Sequence, residues 1–113
     1  MGKNGLLAGF ARVTITPPLG VPLAGYFLER PADGVLDDLE IQALALSDGQ
    51  NKAVILSADL LGIKACDLQP IREQIAQTLG ITVEGILIAC THTHTAPQIS
   101  KNAIGELPEK WHF

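Results

Sequence analysis

The sequence predicts an α/β fold in which a mixed β-sheet combines an antiparallel hairpin with one right-handed βαβ crossover. Two short apolar runs flank a glycine-containing loop, an amphipathic helix pattern follows, and another continuous apolar run comes after it. The chain has 113 residues, of which 47% are hydrophobic, so it is long and apolar enough to bury the core of one domain.

The first half of the chain predicts an edge strand, a loop and a hairpin. Residues 7–15 are rich in β-branched side chains, and Pro17 and Pro18 cannot continue a sheet ladder, which favours an edge strand. The Pro- and Gly-dense stretch 16–34 predicts a long loop. Residues 39–46 and 52–59 predict the two strands of a hairpin around the turn 47–51. Because residues 53–56 contain no polar side chain, the second strand is expected to be central and covered on both faces.

The second half predicts a helix and a parallel strand. Asp67 is the predicted helix cap, and Gly80 stands where a C-terminal glycine belongs. Between them, apolar side chains recur at the spacing of one helical face, at Leu68, Ile71, Ile75 and Leu79. Residues 85–90 then form a short apolar strand. The short connections predict a right-handed parallel crossover from strand 52–59 to strand 85–90.

Charge and composition exclude several classes of partner. The net charge is −4, and the eight Lys and Arg residues are scattered, so no nucleic-acid-binding surface is expected. No apolar stretch reaches the roughly 18 residues of a membrane span, and no secretory signal is recognisable, so the expected location is cytoplasmic. Cys66 and Cys90 lack metal-site spacing and are interpreted as small buried hydrophobic residues.

Polar side chains follow both predicted parallel strands. Asp59 ends one strand, and residues 91–95, Thr-His-Thr-His-Thr, end the next. Ligands of open α/β sheets bind beyond the carboxyl ends of the strands, so Asp59 and His92 are expected within reach of one site. The alternative for Asp59 is a capping role in a loop.

His92 and His94 are the candidate metal-site residues. At a spacing of two on an extended backbone, both imidazoles point to the same side, and imidazole is the commonest side-chain metal ligand. The neighbouring threonines are candidates for orienting the rings through hydrogen bonds. The alternative is that both histidines only make hydrogen bonds within a loop. The position of the motif at the end of an apolar strand favours a metal site.

The sequence resembles the amino-terminal part of the neutral/alkaline non-lysosomal ceramidase family. Three blocks occur in the family's order: ARVTITPP at 11–18 with GVPLAGY at 20–26, ILSADL at 55–60, and IACTHTHTAP at 88–97. The resemblance implies a zinc-dependent amidase with His92 as a zinc ligand and His94 as a catalytic residue that stabilises the oxyanion. It also implies a small-molecule N-acyl amide or lipid-like substrate, and that residues 1–113 form a single domain or the N-terminal portion of a larger ceramidase-like α/β hydrolase domain.

The chain also departs from the family pattern. After His94 it continues Thr-Ala-Pro-Gln-Ile, where the family has Ser-Gly-Pro-Gly-Gly, which predicts a smaller or different amide substrate. Catalytic zinc needs about three protein ligands, and His112 is a poor candidate because it lies next to the chain end. The remaining ligands are therefore expected from a missing C-terminal region or from another subunit of a homo-oligomer.

Two other functions remain open from the sequence. Amidohydrolase barrels, another class of metal-dependent hydrolase, also place a His-x-His motif at a strand end, although usually on their first strand. A non-catalytic interaction module, in which the histidine segment is only a polar strand end, is the other alternative. The loop 17–34 is interpreted either as part of a substrate wall or as a surface loop docked by its aromatic side chains.

Overall fold

The computed structural model describes residues 5–97 and Ile99. Four strands form one sheet in the order β1-β2-β3-β4, with bounds Leu7–Thr14, Glu40–Ser47, Lys52–Ala58 and Ile86–Cys90. Strands β1, β2 and β3 pair antiparallel, whereas β4 pairs parallel to β3. The predicted mixed sheet, with its hairpin and its parallel crossover, is confirmed, and β1 is an edge strand as predicted.

The turn of the β2–β3 hairpin is stabilised by one carboxylate. Asp48 Oδ1 accepts hydrogen bonds from the backbone N–H groups of Gln50 at 2.9 Å and Asn51 at 2.6 Å. These bonds hold the pKa of Asp48 below its usual value of 3.8. Gly49 adopts φ 97°, a conformation that glycine takes without steric cost.

The helix α1 (Ala65–Leu79) connects β3 to β4. It begins two residues before Asp67, and the backbone carbonyl of Lys64 accepts the N–H groups of Asp67 and Leu68 at 3.0 and 2.9 Å. The prediction of Asp67 as the cap is therefore wrong, because this residue lies inside the first turn. Gly80 ends the helix in the left-handed conformation, as predicted. In the part of the chain that is described, no helix combines the length and apolar character needed to cross a bilayer.

Arg72 fixes α1 against the start of β4. Its Nη2 donates to the carbonyl of Val83 at 2.8 Å, and its Nε donates to the carbonyl of Ile86 at 3.3 Å. Val83 belongs to a short 3-10 turn, Val83–Gly85, that leads directly into the strand. Because both acceptors are part-buried backbone carbonyls, one side chain holds the end of the crossover in register with the helix.

The core lies at the carboxyl end of β3, and small residues form its centre. Ala58, Leu60 and Ala96 are 2%, 3% and 0% exposed. Half-buried side chains from the two ends of the β1–β2 connection, from β2 and β4, and from the segments after β3 and β4 pack around them: Ile15, Leu39, Ile41, Ile63, Cys90 and Ile99. This packing places a rigid base directly beneath the segment that carries both histidines.

One face of the sheet carries an apolar row across all four strands. Phe10 pairs with Leu44, Leu44 with Ile55, and Ile55 with Leu87. Phe10, Leu87 and Ile55 are 83%, 60% and 39% exposed. The expectation that β3 is covered on both faces is therefore wrong for the described residues. Its buried side chains, Val54 among them, all belong to the opposite face.

The cysteines differ from the prediction that both are buried. Cys66 is exposed, because the first turn of α1 presents it to solvent. Cys90 is half-buried at the end of β4, and this burial raises the pKa of its thiol. Only Cys90 therefore contributes to packing against the core.

Candidate functional site

The segments that follow β3 and β4 continue side by side past the sheet. The N–H of Thr91 donates to the carbonyl of Ala58 at 2.9 Å, and the N–H of His92 donates to the carbonyl of Leu60 at 3.0 Å. His92 then adopts φ 65°, which is uncommon for a residue with a Cβ. The expected extended backbone at the two histidines is therefore wrong, because the chain turns at His92. Backbone conformations of this kind concentrate at functional sites.

The imidazole of His92 is oriented by a backbone carbonyl. Its Nδ1 lies 2.9 Å from the carbonyl oxygen of Leu61. A carbonyl oxygen can only accept a hydrogen bond, so Nδ1 carries the proton and the Nε2 of the neutral ring keeps a free lone pair. A metal ligand needs such a lone pair, and metal-binding histidines commonly donate their other nitrogen to a carbonyl in this way.

His94 has the same arrangement with a different partner. Its Nδ1 lies 3.2 Å from the carbonyl oxygen of Ala24, which leaves Nε2 available to the site. The rings of His92 and His94 meet edge to face, with centroids 5.4 Å apart. The structure therefore brings the two predicted site residues together, although the backbone turns at His92 and is not extended as expected.

The loop 17–34 docks against the histidine segment. The N–H of Ala24 donates to the carbonyl of Ala96 at 2.9 Å, and Leu23 pairs with Pro97 in an isolated antiparallel bridge. The Tyr26 ring lies edge-on to His94 at 5.8 Å, and the guanidinium of Arg30 lies 4.9 Å from the centre of the Tyr26 ring. The loop thus forms a wall beside His94.

A cleft of about 330 Å³ opens next to His92. Lys64 and Asp67, from the start of α1, contribute its charged side chains together with the His92 imidazole. The remainder of its lining is apolar or backbone: Ala24, Leu61, Gly62, Ile63, Pro97 and Ile99. Apolar walls with a few convergent polar groups are typical of sites for small organic ligands.

Asp59 does not reach this cleft. Its Oδ2 accepts the N–H of Glu40 at 2.9 Å, and its own N–H donates to the carbonyl of Glu40 at 3.0 Å. Both bonds run toward β2, which lies on the opposite side of β3 from β4. The expectation that Asp59 shares a site with His92 is therefore not supported. Of the alternatives raised by the sequence, the structural role is the one that these contacts favour.

Substitution of Asp59 distinguishes a structural role for this residue from a role in the site of His92. Asp59→Ala should lower the free energy of unfolding by about 1–2 kcal/mol, because the part-buried N–H of Glu40 loses its acceptor. Asp59→Asn should cost less, since an amide oxygen can still accept. Urea denaturation measures the difference. Unchanged stability with a loss of metal binding in both variants would instead assign Asp59 to the site.

Three threonines flank the histidines, and none of their side chains forms a hydrogen bond with an imidazole among the described residues; Thr93 and Thr95 contact each other. Thr93 Oγ1 lies 2.8 Å from Thr95 Oγ1 and accepts the N–H of Thr95 at 3.2 Å. The predicted orienting role of the threonines is therefore not observed in the described residues. The carbonyls of Leu61 and Ala24 orient the rings instead, and no side-chain pattern in the sequence pointed to these backbone atoms.

The donors present account for only part of a metal centre. Within residues 5–97 and Ile99, no group of three His, Cys, Asp or Glu side chains is arranged to hold a metal ion. His112, the third histidine of the sequence, lies outside the described residues. His92 is therefore suited to be one ligand of a site that requires further ligands from elsewhere.

Sequence reasoning also missed Gly25. A Cβ at this position would overlap the Nδ1 and Cε1 atoms of His94. Gly25 also has φ 86°, where glycine is favoured. The available signal was its place in the block GVPLAGY at 20–26, in which the sequence alone assigned no role to Gly25.

Comparisons with known proteins identify the fold. No protein-family model and no curated protein matches the sequence. Among solved structures, the neutral ceramidase from Pseudomonas aeruginosa superposes with a TM-score of 0.68 at 25% identity, over 82% of this chain and 16% of that one. A ceramidase complexed with C2 superposes with a TM-score of 0.66 at 24% identity, over 82% of this chain and 15% of that one. The resemblance to the neutral ceramidase family is thereby confirmed, and the chain has the fold of a segment of a ceramidase.

Proposed function

We propose that this chain supplies part of the active site of a zinc-dependent amide hydrolase related to the neutral ceramidases. His92 is the zinc ligand and His94 the catalytic residue. The observation that carries the proposal is that both imidazoles bind a backbone carbonyl through Nδ1, which leaves both Nε2 atoms for the site. They do so in a fold shared with ceramidases, at the edge of the sheet where α/β proteins bind ligands.

The chemistry of His92 fits zinc. The metal favours nitrogen donors on a rigid base, and the Leu61 carbonyl and the core beneath the segment provide that rigidity. When bound, zinc supplies Lewis-acid chemistry that polarises an amide carbonyl and acidifies water. The remaining ligands lie outside the described residues, or come from another subunit.

His94 transfers a proton and stabilises the negative charge that develops on the substrate oxygen. With Nδ1–H bonded to the Ala24 carbonyl, the neutral ring accepts at Nε2 the proton that the attacking water loses as its oxygen bonds to the amide carbon. The resulting imidazolium then donates a hydrogen bond from Nε2 to the oxyanion of the tetrahedral intermediate, while its Nδ1–H keeps the same partner. It gives the Nε2 proton to the leaving amine nitrogen when the C–N bond breaks. The Ala24 carbonyl therefore anchors the ring in both protonation states, and donors fixed in advance are effective in this role.

The substrate is an N-acyl amide, and the cleft beside His92 accommodates part of it. Its lining is mostly apolar, which favours an acyl chain. Residues 1–113 form a portion of a larger catalytic domain. The exposed apolar row on the sheet and the 16% share of the ceramidase chain support this assignment.

Removal of the metal tests the proposal. Dialysis of the larger catalytic domain, of which this chain is a portion, against a chelator should abolish hydrolysis, and added zinc, but not magnesium, should restore it. Release of amine from a panel of N-acyl amides, from short-chain amines to N-acyl sphingoid bases, measures the activity. Hydrolysis that survives complete chelation would contradict a zinc mechanism, and a lack of hydrolysis across the panel would contradict an amidase.

A further inference from the structure

The contact between Gly25 and His94 links the loop to the histidine segment more tightly than a surface loop requires. The flat face of the glycine backbone meets the imidazole, and a Cβ there would overlap Nδ1 and Cε1 of the ring and lie 3.4 Å from Cγ. The ring is thus held on one side by an approach that only a residue without a side chain permits.

The backbone of Ala24, the residue before Gly25, forms hydrogen bonds both with the His94 ring and with the segment that follows His94. The Ala24 carbonyl binds Nδ1 of His94, and the Ala24 N–H donates to the carbonyl of Ala96, two residues further along. Ala24 and Ala96 are 2% and 0% exposed, so these backbone atoms lie in the packed interior and not on a freely moving loop. The Ala24–Gly25 peptide therefore determines the position of the His94 ring.

We propose that Gly25 is a positioning residue. Its missing side chain lets the His94 imidazole reach the Ala24 carbonyl, and this bond sets which ring nitrogen faces the site. The consequence for catalysis rests on the proposed function of His94. The positioning itself is a property of this chain that can be measured without metal or substrate.

Gly20 provides a matched control in the same loop. It has φ 94°, close to the 86° of Gly25, so alanine incurs similar backbone strain at both positions. Apart from Gly20 itself and its two chain neighbours, however, no described residue has a heavy atom within 4 Å of a Cβ built on Gly20. Any effect of Gly25→Ala beyond that of Gly20→Ala therefore reports the overlap with His94.

A double-mutant cycle isolates this overlap. Gly25→Ala should lower the melting temperature by about 5 °C more than Gly20→Ala, because the overlap displaces the exposed His94 ring from its hydrogen bond to the Ala24 carbonyl. In a His94→Ala background the excess should disappear, since the ring is absent. If Gly25→Ala alone fails to fold, recovery of folding in the double variant supports the proposal. An excess that persists without the ring overturns it.

The ring tautomer gives a second readout that a merely structural role would not change. The chain has three histidines, so ¹⁵N-histidine labelling yields a spectrum that single substitutions can assign. Neutral His94 should carry its proton on Nδ1 in the wild type and in Gly20→Ala, and should become a mixture of tautomers in Gly25→Ala. An unchanged His94 tautomer in Gly25→Ala overturns the proposal.

These outcomes are independent of the amidase hypothesis. Should the cycle and the tautomer behave as expected while no N-acyl amide is hydrolysed, Gly25 remains a positioning residue and the proposed function fails. Should hydrolysis require zinc while Gly25→Ala leaves stability and tautomer at the level of Gly20→Ala, the proposed function stands and the positioning role fails.

Discussion

In the larger catalytic domain, replacement of His92 by asparagine is expected to weaken zinc binding about 100- to 1000-fold and to abolish hydrolysis. Four-ligand zinc sites in small domains bind with about 10–16 kcal/mol, so one ligand contributes on the order of 3 kcal/mol, which corresponds to that factor in Kd. Asparagine is the suitable substitution because it tolerates the left-handed backbone at this position, where φ is 65°. Alanine would add backbone strain to the loss of the ligand.

Zinc affinity should be measured by competition with a chromophoric chelator, beside a thermal melt. The melt should change little, because the exposed ring loses only its hydrogen bond to Leu61, worth about 1 kcal/mol. His112→Asn is the control for removing one imidazole from the chain. Wild-type zinc affinity in His92→Asn would exclude His92 as a ligand and would favour the non-catalytic interaction module.

The strands and the crossover were predictable because they follow from local patterns. A few consecutive residues are enough to identify the apolar runs of β3 and β4 and the glycine, Gly80, that ends the helix. The short connections between these elements then restrict the possible topologies of the sheet. The start of α1 was predicted wrongly because an acidic residue such as Asp67 is favourable both at the N-cap and within the first turn, where the helix dipole stabilises its charge.

The site was only partly predictable, since its decisive contacts are tertiary and use backbone atoms. His94 finds its acceptor at Ala24, 70 residues away along the chain, and His92 finds its own at Leu61, 31 residues away. Nothing in the side chain of alanine or leucine signals a carbonyl that will orient an imidazole. Asp59 shows the converse, because a polar residue at the expected edge binds a backbone N–H of β2 instead.

Replacement of His94 by alanine is expected to lower kcat about 100- to 1000-fold while zinc remains bound. Loss of one preformed donor to an oxyanion has this effect on other hydrolases, and KM should change little because the donor acts mainly in the transition state. The same change leaves the Ala24 carbonyl without its imidazole partner, at about 1 kcal/mol of stability. A melt checks that the variant is folded under assay conditions.

The outcome for zinc decides between two roles for His94. The ring centroids of His94 and His92 lie 5.4 Å apart. Both rings contact backbone carbonyls through Nδ1, which leaves the Nε2 of His94 as well as that of His92 able to bind a metal ion. Zinc lost from both His92→Asn and His94→Ala would identify a two-histidine ligand pair. Zinc lost from His92→Asn alone, with kcat reduced in His94→Ala, identifies one ligand and one catalytic group. Thr95→Ala, which changes a neighbouring hydroxyl bonded to Thr93, is the control and should keep wild-type kcat.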